Sequence, residues 1–209
     1  MSSLYDANCR ACPRLASFLD GVRRDRPDYF AHPVPPFGAT KPKLLVVGLA
    51  PGMHGANRTG RPFTGDYAGI LLYQTLFKFG FANMVGTADP EDGLVLRNCR
   101  VTNAVKCLPP ENKPLPAEVK LCNDFLSAEI ASAKPRAILA LGTVAHAAVL
   151  RAVGLKASAF KFAHQARHDL GSAVLFDSYH CSRYNTNTGR LTTVMFEAVF
   201  RDIEAFFAG

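Results

Sequence analysis

The side chains best equipped for chemistry crowd into one glycine-rich stretch, Lys43 to Gly69, which reads KLLVVGLAPGMHGANRTGRPFTGDYAG. His54, Asn57, Arg58 and Arg61 include types that hold phosphates, Phe63 offers a flat aromatic face, and Asp66 is a carboxylate able to work as a base. Gly48, Gly52, Gly55, Gly60, Gly65 and Gly69 are interleaved with them, so backbone N–H groups can approach a ligand closely. The stretch begins with an apolar, β-branched run, Lys43 to Leu49, that has the pattern of a buried strand. A loop at the carboxyl end of such a strand is where open α/β sheets bind ligands.

Two familiar phosphate motifs fail on this loop. Gly55 and Gly60 have P-loop spacing, but Arg61 replaces the lysine and Pro62 has no hydroxyl to offer a magnesium ion. The dinucleotide fingerprint G-x-G-x-x-G is also absent after the strand.

Two further strand ends carry polar residues. Asn103 interrupts the strand-like run Arg100 to Val105, and His180, Ser182, Arg183, Asn185 and Arg190 follow the run Ala173 to Tyr179. Cys9 and Cys12 form a C-x2-C pair whose partners, Cys107 and Cys122, lie far downstream with fourteen residues between them. Four cysteines so arranged argue for a metal centre over disulfides in a reducing compartment. Zinc and a [4Fe–4S] cluster both accept four thiolates. A zinc ribbon has two close knuckles, and here the second pair is split, which leans towards iron–sulfur and leaves zinc open. Cys99 and Cys181 remain outside this set, Cys99 with the character of a small buried residue.

Taken together these segments resemble the uracil-DNA glycosylase superfamily, in the form of its iron–sulfur-containing bacterial and archaeal members. Gly48 to Gly69 resembles the first motif over its whole length and is closest to family 5, the type-B glycosylases, where an apolar residue stands near the strand end in place of an acidic or amide one. Thr102 to Cys107 (TNAVKC) is similar to the segment that supplies a base-reading asparagine, and His180-Cys181-Ser182 to the last motif, with Cys181 where the superfamily often has proline.

The resemblance implies a DNA glycosylase that hydrolytically removes uracil, and other deaminated bases such as hypoxanthine, leaving an abasic site. It assigns catalysis to Asp66, Asn103 and His180, and base contact to Ala50, Pro51, Gly52, Phe63, Asn103 and His180. DNA contact falls to His54, Asn57, Arg58, Arg61, Ser182, Arg183, Asn185 and Arg190. Cys9, Cys12, Cys107 and Cys122 would hold a [4Fe–4S] cluster of structural purpose. Two rival readings stand beside this one: a non-catalytic or covalent uracil-DNA-binding iron–sulfur protein, and a zinc-dependent nucleic-acid-processing enzyme.

The elements that must position these residues follow from hydrophobic period. Strands are expected near 44–49, 100–105, 136–142 and 173–179, forming one central, mainly parallel four-stranded sheet with helices on both faces, a single α/β domain over residues 1–209. Helices are expected from Leu15 to about Arg26, from Ile70 to Phe79, from Pro116 to Ala133, from a Thr143 cap to about Val153, and after Thr192 through Phe207. The Pro-rich segment Pro33 to Gly38 reads as a connector, His146 as ordinary packing, and the segment holding His164 and His168 as a solvated loop.

Length and composition are compatible with this. A chain of 209 residues can bury one full core, and its net charge of +7 suits a polyanionic partner such as DNA. Mean hydropathy is +0.05, yet no run reaches the roughly 18 apolar residues of a membrane span. The first residues lack the charged and apolar regions of a secretory signal, so a cytoplasmic protein is expected, and a monomer is expected as well.

Overall fold

Four short, almost wholly buried strands form the centre of the sheet, because parallel strands covered by helices on both sides are largely apolar; LLVVG and AILAL are apolar throughout, while CRVTN and VLFDS also bury Thr102, Asn103, Asp177 and Ser178. The computed structural model describes residues 5–86 and 88–209. In chain order the elements are α1 (Pro13–Asp25), β1 (Phe37–Gly38), β2 (Leu44–Gly48), α2 (Ala56–Thr59), α3 (Tyr67–Lys78) and β3 (Cys99–Asn103). They continue with α4 (Pro116–Ala133), β4 (Ala137–Leu141), α5 (Thr143–Ala152), β5 (Arg167–Asp169), β6 (Val174–Ser178), α6 (Arg183–Asn187) and α7 (Thr193–Ala208).

Among the described residues the sheet has six strands in the order β1-β3-β2-β4-β6-β5. The central four are mutually parallel, as expected, and correspond to the four anticipated segments. The expected count of four needs correction, because β1 and β5 add short antiparallel edges. Both were hidden in the sequence: β1 lies in the Pro-rich connector, and β5 holds His168 in the segment read as a solvated loop. At two and three residues they are too short to show a period.

Alternate residues of the central strands feed two apolar layers. Leu44, Val46, Leu139 and Phe176 face α3 and α7, where Leu72, Leu76, Phe196, Val199 and Phe200 complete one layer. Leu45, Val47, Ile138 and Leu175 face α4 and α5, meeting Leu126, Ala145 and Val149. Burying each such side chain contributes about 1.5–3 kcal/mol. A third cluster joins Leu15, Leu19 and Val22 of α1 to Val105, Leu108, Cys107 and Cys122, so α1 is anchored where β3 ends and α4 passes.

Local chemistry sets the helix starts. Pro13 and Pro116 occupy the first turns of α1 and α4, where a missing N–H costs nothing. Asp66 caps α3 by accepting the Gly69 N–H at 3.0 Å, which starts that helix at Tyr67, three residues before the expected Ile70. Thr192 caps α7, accepting from Met195 N at 3.2 Å. Thr143 is not a cap: Gly142 takes that place at φ 93°, a left-handed conformation that threonine resists, and Thr143 is the first helical residue.

Candidate active site

All four central strands end at the same edge of the sheet, and the residues just beyond them build one hollow. Gly48 pairs with Asn103 across β2 and β3, and the chain stays zipped past the strand ends through Ala104 N to Gly48 O at 2.9 Å and Val105 N to Leu49 O at 3.0 Å. Between β4 and β6, Gly142 N donates to Ser178 O at 2.8 Å. The resulting cleft has a volume of about 400 Å³ and is walled by Leu49, Ala50 and Gly52 after β2, Asn103 at the end of β3, Gly142 to Val144 after β4, and His180 and Ser182 after β6. Phe63 and Asp66 close it from the long glycine-rich loop. The cleft lies within the size range of small-molecule sites.

The lining is mostly apolar, with a few polar atoms aimed inward. Asn103 Oδ1 and His180 Nδ1 are buried and make no hydrogen bond within the protein. An unmet buried polar atom costs about 1–3 kcal/mol, so a pair of them on one cavity wall marks a place where a ligand supplies the partner. Burial pushes the His180 imidazole down to about 4, which keeps it neutral at physiological pH. Burial likewise raises the Asp66 carboxyl above its usual range, and the N–H groups of Gly69 and Ala68 pull in the opposite direction without cancelling it.

Phe63 and His180 form a continuous wall, their ring centres 6.0 Å apart and their planes 25° from parallel. A planar ring held between two others needs two contacts, a gap of roughly 7 to 8 Å, so this pair is too close to admit one between them. Close packing behind the wall depends on glycine: a Cβ at Gly48 would stand 2.4 Å from Phe63 Cζ and 2.5 Å from Asn103 Oδ1. One at Gly55 would stand 2.4 Å from Asp66 Oδ2.

The sequence-derived residues divide clearly. Ala50, Gly52, Phe63, Asp66, Asn103, His180 and Ser182 meet at the cleft, whereas Pro51 is buried beside it and does not line it. His54, Arg183 and Arg190 are exposed and Arg58 is partly so. Arg183 lies over the Tyr67 ring at 5.9 Å and Arg190 over Tyr179 at 4.6 Å. Arg58 Nε donates to His54 O at 2.9 Å, and His54 Nδ1 meets the Tyr29 hydroxyl at 2.8 Å. Asn185 braces the last loop by donating to His180 O at 2.8 Å.

Two expected DNA contacts are corrected. Arg61 is 5 % exposed, with its guanidinium committed to Asp92 at 2.7 Å, to the Pro90 and Asp89 carbonyls and to Thr64 Oγ1, so it ties the glycine-rich loop to the segment after α3. Asn57 is completely buried on α2, and neither residue presents a side chain to a phosphate.

Sequence reading also passed over a buried polar set on the neighbouring strand. The Asp177 carboxylate lies between His146 Nδ1 at 2.8 Å and His168 Nε2 at 3.0 Å, while His146 Nε2 donates to Phe160 O at 2.9 Å. Nearby, His164 stacks on Tyr179 with ring centres 5.0 Å apart and accepts the Tyr179 N–H at 3.2 Å. The 160–169 segment is therefore pinned to β6 just ahead of His180, not solvated. Only a pairing across distant stretches of chain, invisible in local pattern, could have signalled it.

Cys9, Cys12, Cys107 and Cys122 line a separate small hollow with Leu15, Pro33 and Val105. None is in a disulfide. Burial, and then one another's proximity, push Cys12 up to about 11 and Cys107 up to about 12, and burial raises Cys122 as well. The Lys106 N–H points at Cys122 Sγ at 3.3 Å. Four thiols gathered at one hollow form a donor set that either a zinc ion or an iron–sulfur cluster accepts.

Comparison with known proteins agrees with this geometry. The family model described as the uracil DNA glycosylase superfamily matches residues 35–204. A type-5 uracil-DNA glycosylase of Pyrobaculum aerophilum is 41 % identical over 198 residues, covering 93 % of this chain and 87 % of its own. Type-5 uracil-DNA glycosylases of Thermus thermophilus and Mycobacterium bovis are each 44 % identical, covering 93 % of this chain and 91 % and 76 % of theirs.

Proposed function

Because the chain belongs to the uracil DNA glycosylase superfamily, we propose that it is a DNA glycosylase of base excision repair that hydrolyses the N-glycosidic bond of uracil in DNA and leaves an abasic site. The observation that carries this is the convergence of Phe63, Asp66, Asn103 and His180, from three separate loops, on one cleft whose buried polar atoms lack protein partners.

Breaking this bond separates two charges: the sugar becomes oxocarbenium-like and the base departs as an anion. The base must first leave the duplex stack and enter a pocket. The Phe63 and His180 wall receives one face of it, and Asn103 reads its hydrogen-bonding edge. His180 donates to the anion developing on the base; a neutral ring does this without bringing a second positive charge beside the sugar, in keeping with its depressed pKa. The N–H groups of Ala50, Gly52 and Met53 supply further donors. Asp66 orients water and offsets charge on the sugar. The apolar Leu49-Ala50 pair leaves that duty to Asp66 alone at this end of β2. His54, Arg58, Ser182, Arg183 and Arg190 hold phosphates around the mouth. A tolerant apolar pocket would also admit hypoxanthine.

In the same reading Cys9, Cys12, Cys107 and Cys122 hold a [4Fe–4S] cluster. Such a group can supply electron transfer, which a hydrolysis does not need; held by these thiolates it would tie the segment leading into α1 to the turn after β3 and to α4. The chain acts as a cytoplasmic monomer.

The test is incubation with duplexes carrying uracil, hypoxanthine, xanthine or no lesion, followed by alkali cleavage. Strand breaks at uracil are expected, and their absence would overturn the proposal. A DNA adduct that survived denaturation would indicate covalent retention in place of turnover. Asp66→Asn should lower single-turnover excision at least about tenfold while duplex binding persists.

A further inference from the structure

Lys106 is 1 % exposed, and the reaction described above makes no use of it. Its ammonium has three N–H donors, and all three find acceptors: Thr102 Oγ1, the Asn103 carbonyl at 3.0 Å and Glu129 Oε2 at 3.2 Å. Glu129, on α4, also accepts from Thr102 Oγ1 at 3.0 Å and from Arg100 Nε at 2.7 Å. The main chain of the same lysine faces elsewhere, donating to Cys122 Sγ at 3.3 Å and accepting from Val34 N at 2.7 Å. Cys122 and Glu129 are two helical turns apart and share one face of α4.

Burying a lysine is costly unless its partners are fixed, and an apolar residue would fill the same space more cheaply. What the ammonium achieves is specific. It holds the backbone of Asn103, whose Oδ1 makes no hydrogen bond within the protein, so the main chain beneath aims that side chain. We propose that Lys106 is a positioning residue for base recognition: it clamps the Asn103 end of β3 to the face of α4 that carries Cys122, so that the four-cysteine centre and the base-reading amide move as one body. This rests on the reading of Asn103 as a base contact.

The experiment compares Lys106→Met, Asn103→Ala and the double variant in the full chain. Single-turnover excision of uracil, duplex affinity and hydrogen exchange are measured for each. Lys106→Met should lose at least about tenfold in rate with duplex affinity within about twofold of the parent, and should add nothing in the Asn103→Ala background, as expected of two residues serving one contact. Exchange across 101–106 should rise while β4 stays protected. A Lys106→Met rate within about twofold of the parent, or a loss that multiplies on that of Asn103→Ala, would overturn the proposal. An Asn103→Ala variant as fast as the parent would instead remove the base-contact reading on which it rests. Should Lys106→Met fail to fold, Glu129→Gln, which keeps shape and loosens the ammonium, takes its place with the same criteria.

Discussion

Gly48→Ala is a single methyl group placed where the strand meets the pocket. Gly48 lies within β2 and does not adopt a left-handed conformation, so its backbone accepts alanine and the effect is steric. The new Cβ would sit 2.4 Å from Phe63 Cζ and 2.5 Å from Asn103 Oδ1, where ordinary contacts are about 3.5–4.0 Å. One or both side chains must retreat by about 1 Å, and both wall the cleft. Overpacking of this kind costs about 1–3 kcal/mol, which in a chain of this size lowers the melting temperature by a few to about ten degrees. The rate should suffer more, since a misplacement of about 1 Å can cost roughly a hundredfold. Thermal melts and single-turnover excision with saturating enzyme separate the two effects. Gly93→Ala is the control: it lies at φ 77° with no heavy atom within 4 Å of an added Cβ, so it carries backbone strain of about 1–2 kcal/mol without touching the cleft. Parental excision by Gly48→Ala, or equal rate losses in the two variants, would refute the reasoning.

Other outcomes follow from the same geometry. Arg61→Ala should destabilise the fold by about 3–5 kcal/mol in urea melts, because it strips Asp92 of a buried partner, while the salt dependence of DNA binding stays as it was. Arg190→Ala should leave stability alone and lower the salt slope of binding by about one. The depressed His180 pKa means the unfolded chain binds a proton that the folded one refuses, so stability falls as pH drops from about 6.5 to about 4, by up to about 3 kcal/mol; a His180→Gln variant should lack that loss. Excision should weaken on the acid side as Asp66 takes up a proton above the usual carboxylate range, and Asp66→Asn should flatten that limb. Anaerobically purified protein should contain iron and acid-labile sulfide at one cluster per chain, and Cys122→Ser should lose both together with stability.

What the sequence made legible was whatever is written locally. Two of the buried parallel strands, Leu44–Gly48 and Ala137–Leu141, show as unbroken apolar runs, and α4 could be bounded from Pro116 to Ala133 by its proline and its apolar spacing. Ala50, Asn103 and His180 were legible because they stand at or just past strand ends, and Phe63 and Asp66 because they lie in the glycine-rich loop. The failures share a cause. Arg61 and Arg183 look alike in sequence, and their fates differ because Asp92, thirty-one residues beyond Arg61, folds back to claim the first. Glu129 meets Lys106 and Asp177 meets His146 across similar gaps. Pairings of that kind are settled by tertiary packing, and no window of sequence contains both partners.

The placement of Asp66 has a consequence for how substrate and enzyme share the work. The carboxylate is moored to the amide protons of α3, and so it cannot swing out to chase a sugar; the nucleotide has to be delivered to a stationary anion. The same mooring gives the residue two duties that different replacements split. An asparagine ties up the helix nearly as well as an aspartate and removes only the charge, whereas an alanine would untie the helix too, at about 0.5–2 kcal/mol. A rate lost with the amide variant is therefore owed to the charge itself.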